Sequence, residues 1–237
     1  MLWWYAVVEA KHEIQNPTSP EKIRLLGERL ALTPESRVLD IASGKGGPAT
    51  ILAREFGCSL TCVEQAPEFA SVARERAGER IEVIEADAKD FAYEPGAYDA
   101  ALCLGATFVY GGLAETLEAL KQAVKAHGFV AVGEPYWREC PLPAGVDPEP
   151  GCDHLSLPET VSLAESTGVR VVSFIDSSRD DWDRYETLHW LALDDWLLAN
   201  PGHAQAVEFR EHGRGRREQY LRWQRELRGW AIFVCRT

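Results

Sequence analysis

The stretch VLDIASGKGGPATILA, Val38 to Ala53, limits what this chain can fold into more than any other. An apolar triplet runs into a turn carrying Gly44, Gly46 and Gly47, and the turn runs into an apolar-periodic segment with Pro48 at its head. Proline near a helix start is pre-set in the helical φ, so the pattern reads as strand, glycine turn, helix. Such a unit opens a parallel α/β sheet, and its turn falls on the carboxyl edge, where open sheets of this kind bind ligands.

The following residues repeat the rhythm. Short β-branched runs predict strands at Arg37 to Ile41, Ser59 to Val63, Ile81 to Glu85, Ala100 to Leu104 and Phe129 to Gly133. Helical patterns lie between them, at Pro48 to Phe56, Pro67 to Ala77 and Leu113 to Ala126, and another precedes them, Pro20 to Leu30, with Ser19 as its N-cap. Alternation of this kind builds a parallel sheet covered on both faces. After Gly133 comes EPYWRECPLPAGVDPEPGCDHLSLPE, a proline-rich connection, then a short helix near Pro158 to Ser166 and the strand VRVVSFI. Residues 176–228 read as helical and hold four of the eight tryptophans, and GWAIFVC is one further strand. The expected architecture is a single α/β domain over 1–237, a doubly wound, seven-stranded, mostly parallel sheet, with an N-terminal lid segment at 1–30 and a helical cap at 176–228.

GKGGPA, Gly44 to Ala49, satisfies G-x-G-x-x-G/A, so one reading of the loop is a dinucleotide diphosphate and an NAD(P)-dependent oxidoreductase. A Walker-type phosphate loop would need a hydroxyl at position 46, where Gly46 stands. Asp40 closes the first strand four residues before Gly44 and directs a carboxylate at the mouth of the turn. Like charges about 4 Å apart repel by ~1 kcal/mol in water and by several-fold more in a partly buried cleft. A diphosphate loses there, whereas an ammonium or sulfonium gains, and the glycines still let backbone come close to the ligand. The loop therefore favours a cationic, adenosine-bearing ligand such as S-adenosylmethionine (SAM). Glu64, at the end of SLTCVE, can accept both ribose hydroxyls, a device NAD enzymes share. In IEADA, the Asp87 carboxylate can accept from an adenine amino group, and the adjacent Ala88 N–H can donate to a ring nitrogen.

Asp40-Ile-Ala-Ser-Gly44-Lys-Gly46, Glu64, Asp87-Ala88 and DAALCLGATF, Asp99 to Phe108, resemble the successive motifs of class I SAM-dependent methyltransferases. The resemblance runs from Arg37 to about Glu134, and the closing strand pair is similar to that fold's terminal antiparallel hairpin. It implies a Rossmann-like methyltransferase fold, SAM as cofactor and methyl transfer to a small-molecule acceptor. It also implies that Asp40 and Gly44 approach the amino-acid end of SAM, Glu64 the ribose, and Asp87 with Ala88 the adenine. Leu104, Gly105 and Ala106 would border the sulfonium, and Ala42, Ser43, Gly46 and Gln65 complete the cofactor set. Ala42 departs from the family, which usually has the first glycine of the loop there. NPTSPEK, GEPYW and WDRYE together resemble a small bacterial subgroup without an assigned substrate.

Methyl transfer from a sulfonium is an in-line displacement, so the protein must mainly align a nucleophile and exclude water. A base is needed only when the acceptor arrives protonated. In GEPYW, Glu134 is the catalytic candidate, as proton acceptor or orienting group, while Tyr136 and Trp137 are candidate substrate walls. Trp182, Tyr185, His189, Leu193 and Trp196 recur at intervals of three and four, so they share one helix face. From that region Tyr185 is a second catalytic candidate and Arg184 a substrate contact; His12 joins them if the N-terminal segment folds across the cleft. Because no base or nucleophile is unmistakable, a non-catalytic SAM-binding protein is the other alternative.

Composition narrows the partners. With 37 acidic against 25 basic residues, a net charge of -12 repels nucleic acid and anionic membrane, which leaves a small molecule as the expected partner. MLWWYAVV is too short and lacks the basic flank of a signal peptide, and no apolar run reaches transmembrane length, so a soluble, cytoplasmic protein is expected. The six cysteines include no CxxC pair and read as reduced thiols. His154 beside Asp153 and Cys152 has no further ligand at metal-site spacing, so no metal is expected. No sequence pattern sets an oligomeric state.

Overall fold

The computed structural model describes residues 2–148 and 152–237; Met1 of the expected lid and residues 149–151 of the proline-rich connection lie outside the described residues. Seven strands form one sheet: β1 (Arg37–Ile41), β2 (Ser59–Glu64), β3 (Ile81–Glu85), β4 (Tyr98–Leu104), β5 (Val124–Trp137), β6 (Arg170–Asp176) and β7 (Arg228–Arg236). Their order is β3-β2-β1-β4-β5-β7-β6. The first five run parallel, and β7 inserts antiparallel between β5 and β6. This is the doubly wound, mostly parallel sheet the sequence predicts. Val38, Leu39 and Ile41 of the central strand are buried on both faces, as covered parallel strands require.

Helices α1 (Leu2–Val8), α2 (Pro20–Arg29), α3 (Gly47–Phe56), α4 (Pro67–Arg76), α5 (Leu113–Ala123) and α6 (Leu157–Ser166) precede two long helices of the segment expected as a cap, α7 (Arg179–Ala199) and α8 (Ala206–Gln219). Ile23, Leu26 and Leu52 belong to one core, shared with Trp182 and Trp230; Leu113, Leu117 and Leu120 belong to the core on the other face, shared with Phe233. Ser19 caps α2 by accepting from the Lys22 N–H, as the sequence predicts.

Two elements depart from the sequence expectation. β5 was expected over Phe129 to Gly133, yet it runs for 14 residues. Pairing with Tyr98 begins it at Val124, which ends α5 early, and pairing of Trp137 with Arg228 carries it past Glu134. A strand persists as far as neighbours satisfy its backbone groups. The apolar start is also a helix, α1, whose Trp4, Val7 and Val8 pack on Leu193 and Phe209 of the cap. Among the described residues no helix is long and apolar enough to cross a membrane.

Candidate cofactor and acceptor site

Beyond β1 the chain turns through three left-handed residues, Ala42 at φ 53°, Gly44 at 57° and Gly46 at 71°, and then enters α3. Only Ala42 among them carries a Cβ, and an L-residue in this region costs about 1–2 kcal/mol. Ala42→Gly relieves that strain and loses about 0.4–1 kcal/mol through the greater entropy of the unfolded chain. The variant is expected to gain up to ~1 kcal/mol in unfolding free energy, read by urea denaturation.

The N-terminal segment 9–18 lies across this turn. A Cβ on Gly47 would stand 2.0 Å from the Glu13 carbonyl oxygen, and one on Gly44 2.2 Å from Gln15 Oε1. Lys45 N donates to Gln15 Oε1 at 2.6 Å, and its Nζ donates to the carbonyls of Glu9 at 2.7 Å and Ala10 at 3.1 Å. Asn16 Nδ2 donates to the Leu104 carbonyl at 3.2 Å, so the strap joins the glycine turn to the end of β4.

Asp40 is 2% exposed, and its Oδ2 has no hydrogen-bond partner among the described residues. Burial, and secondarily the charge of Glu64, pushes its carboxyl up to about 7. Glu64 is braced: Oε2 accepts from Gly44 N and Oε1 from Ala66 N, both at 2.8 Å. Its pKa is raised by burial, which those backbone donors partly offset. Each of its oxygens keeps a lone pair for a further donor. Asp87 Oδ1 accepts from Lys89 N at 2.8 Å, Ala88 is buried with its carbonyl taking the Tyr110 hydroxyl at 3.2 Å, and Gln65 is exposed at the rim. Ser43 is anchored by its backbone N–H to the Val63 carbonyl, and Ala106 leads into a short 3-10 turn.

On the acceptor side, Glu134 Oε2 accepts from the Thr107 hydroxyl at 2.7 Å, and burial raises its pKa. The Trp230 ring packs on Gly133, where a Cβ would meet Cζ2 at 2.2 Å, and it reaches within 3.8 Å of the Cβ position of Gly105. Asn16, Thr107 and Trp230 are thus brought to this edge without having been singled out in the sequence. Trp230 sits inside an apolar run that signals only a buried strand, and the contacts of Asn16 and Thr107 span 88 and 27 residues.

Five expected catalytic or substrate residues have other partners. Tyr136 donates its hydroxyl to Asp176 Oδ1 at 2.8 Å and accepts from Arg138 Nη1 at 3.1 Å, so it pins β5 to β6 rather than presenting a polar group to a substrate. Arg184 donates to the Thr18 carbonyl and pairs with Asp181 Oδ1 at 3.5 Å, tying strap to cap. Tyr185, expected at the chemistry, donates to Glu9 Oε1 at 3.0 Å and accepts from His12 Nε2 at its carbonyl at 2.9 Å. Burial pushes its phenol well up, so it is no base at neutral pH. His12 lies in this clasp with His189, whose Nε2 is 2.9 Å from Glu9 Oε1. Trp137 packs on His154 and Trp223, with centroid separations of 5.0 and 5.7 Å. Glu9, His12 and His189 offer ligand atoms within 4.8 Å of one another, a grouping across 180 residues that no local spacing signals. Tyr185 and His189 already address Glu9 Oε1. All six cysteines are free thiols.

Among the described residues, Asp40 Oδ2 and Asn16 Oδ1 are buried oxygens at this edge that have no donor. A ligand that brings an ammonium to a glycine turn satisfies such a carboxylate, so the residues present fit SAM. Fold and site together fit an α/β protein that takes a positively charged ligand at the carboxyl edge of its sheet. Residues 38–128 match a family model described as a methyltransferase domain. The SAM-dependent methyltransferase of Geobacter sulfurreducens, solved with S-adenosylhomocysteine, is 34% identical, with a TM-score of 0.91 and coverage of 98% of this chain and 97% of that one. The corresponding Thiobacillus denitrificans enzyme, solved with the same ligand, is 33% identical with a TM-score of 0.90 over 98% and 96% of the two chains. The uncharacterized protein YjhP of Escherichia coli K12 is 34% identical over 97% of this chain and 96% of its own length. The chain belongs to the SAM-dependent methyltransferases, and SAM is its cofactor.

Proposed function

We propose that this methyltransferase acts on a small molecule in the cytoplasm, with Glu134 at the reacting centre, residues 1–30 as lid and residues 176–228 as cap. The clasp carries this reading. Segment 9–18 lies on the cofactor turn and is tied to the cap by Arg184 to Thr18, His12 to Tyr185, and Tyr185 and His189 to Glu9. A carboxyl edge covered in this way suits an acceptor that can be enclosed, and the net charge of -12 disfavours nucleic acid.

Bound SAM supplies an electrophilic methyl group. Asp40 balances the positive charge of its amino-acid end, Glu64 takes the ribose hydroxyls, and Asp87 with Ala88 takes the adenine; Leu104, Gly105 and Ala106 border the methyl, with Gln65 at the rim. Thr107 holds one oxygen of Glu134, leaving Oε1 for the acceptor's proton. Burial makes Glu134 more basic than an ordinary carboxylate, which suits that task. Trp230, on the opposite face of the β5–β7 pair, closes the edge at Gly105 and Gly133 against water.

With methyl-tritiated SAM, label is expected in a metabolite panel and not in bulk RNA or protein. Glu134→Gln is expected to lower kcat about 10²–10⁴-fold, the usual worth of a positioned base, with SAM affinity unchanged. Label confined to macromolecules overturns the small-molecule reading, and unimpaired turnover by the variant removes Glu134 from the chemistry.

A further inference from the structure

At the ligand edge, the β5–β7 pair carries a positive charge to which no counter-group is bonded among the described residues. Arg228 opens β7 opposite Trp137, and its Nε is buried without a hydrogen-bond partner. Its guanidinium lies over Trp182, 5.1 Å from the ring centroid. Trp182 is itself 4% exposed, and its indole N–H also lacks an acceptor. His154, on the face of Trp137, adds a third buried nitrogen without a partner, Nε2. Burial, then the charge of Arg228, drives the His154 imidazole down to about 3, so it is neutral at physiological pH. Glu134 and Glu186 interact with Arg228 through space, not by a hydrogen bond.

Buried donors are almost always paired, so two unsatisfied N–H groups and an imidazole nitrogen around one guanidinium need a common explanation. A ligand rich in acceptors provides it. The flat guanidinium fork matches a carboxylate or phosphate, and the indole N–H is a donor only. The position is also apt. Trp230, two residues along β7 and therefore on the same side of the sheet, borders Gly105 and Gly133. Two residues of strand span about 7 Å, the scale of a small molecule.

We propose that Arg228, Trp182 and His154 form an oxyanion subsite for the acceptor, which is a small organic acid bearing a carboxylate or a phosphate. This rests on the small-molecule reading above, and the test separates the two. Malonate and inorganic phosphate are titrated calorimetrically into the full chain with S-adenosylhomocysteine bound. Saturable binding of at least one is expected, tenfold or more weaker in Arg228→Gln and about fivefold weaker in Trp182→Phe, which keeps the ring and removes the N–H. S-adenosylhomocysteine affinity should be unchanged in both variants, which shows that they fold. The stronger probe identifies the anion. No saturable binding of either, or equal binding by Arg228→Gln, overturns the subsite whether or not an acceptor is known. In turnover, acids are expected to exceed their methyl esters at least 100-fold in kcat/KM. Equal turnover of the esters overturns the subsite and leaves small-molecule methylation standing, whereas label confined to macromolecules removes the latter.

Discussion

SAM is expected to bind about tenfold more weakly at pH 6 than at pH 7.5, and binding near pH 6 to release close to one proton; in Asp40→Asn both effects disappear. Burial raises the Asp40 carboxyl to about 7, with Glu64 adding to the shift. A carboxyl whose folded pKa lies above its unfolded value near 3.8 stabilises the ligand-free fold below that value, and the contribution is lost as pH rises through about 7. Three units correspond to ~4 kcal/mol as an order of magnitude, so this group makes the ligand-free protein more resistant to unfolding at pH 4 than at pH 8. Cofactor binding has the opposite sign. A cation gains from the ionised carboxylate, so the competent fraction falls about tenfold for each unit below 7, and apparent affinity falls with it. At pH 7.5 Asp40→Asn also loses a charge-assisted contact worth ~1.5–3 kcal/mol, or about 10–150-fold in Kd. Calorimetry in two buffers of different ionisation enthalpy measures the affinity and the proton count together. A flat profile with no proton release would mean that the positive end of SAM is not seated at Asp40.

The residues behind that prediction were readable because they lie close together along the chain. Asp40, Gly44 and Gly46 belong to one strand, turn and helix start, while Glu64 and Asp87 terminate or follow the next strands of the same rhythm, so alternation alone sends them to one edge. The clasp was not readable. His12 meets Tyr185 across 173 residues and Arg184 meets Thr18 across 166, partnerships set by how strap and cap dock rather than by any local period. The eight apolar residues of the start are too few to display a helical stripe, so α1 was missed. The end of β5 shows a different failure. GEPYW reads as one wall, but strand alternation sends Glu134 and Tyr136 to one face and Trp137 to the other, where it pairs with Arg228. Because β7 is antiparallel, its first residues, Arg228 and Trp230, lie at the ligand edge formed by the last residues of β4 and β5. A reading that looks for site residues only at strand ends passes over both.

Gly47→Ala is expected to raise the Kd for SAM about 5–150-fold and to expose segment 9–18, while Gly78→Ala, where a Cβ meets nothing within 4 Å, does neither. The added methyl at Gly47 would stand 2.0 Å from the Glu13 carbonyl oxygen and 2.8 Å from its carbon. Those are backbone atoms, which cannot swing aside as the tip of Gln15 can beside Gly44. Overpacking of this kind costs about 1–3 kcal/mol. The better helix propensity of alanine returns at most ~1 kcal/mol, and less in the first turn. The strap is an irregular segment joined to the turn by side-chain hydrogen bonds, from Lys45 to Glu9 and Ala10 and from Asn16 to Leu104, with Ile14 in the core, whereas α3 is a regular helix fixed in that core through Ala49 and Leu52. It should therefore be the strap that moves. Hydrogen exchange is expected to show amides of residues 9–18 losing protection while those of β1 keep theirs, with trypsin cleaving faster after Lys11. If the strap stays protected and SAM affinity is unaltered, the N-terminal segment is not a lid over the cofactor, and access to the methyl group must be controlled from the cap alone.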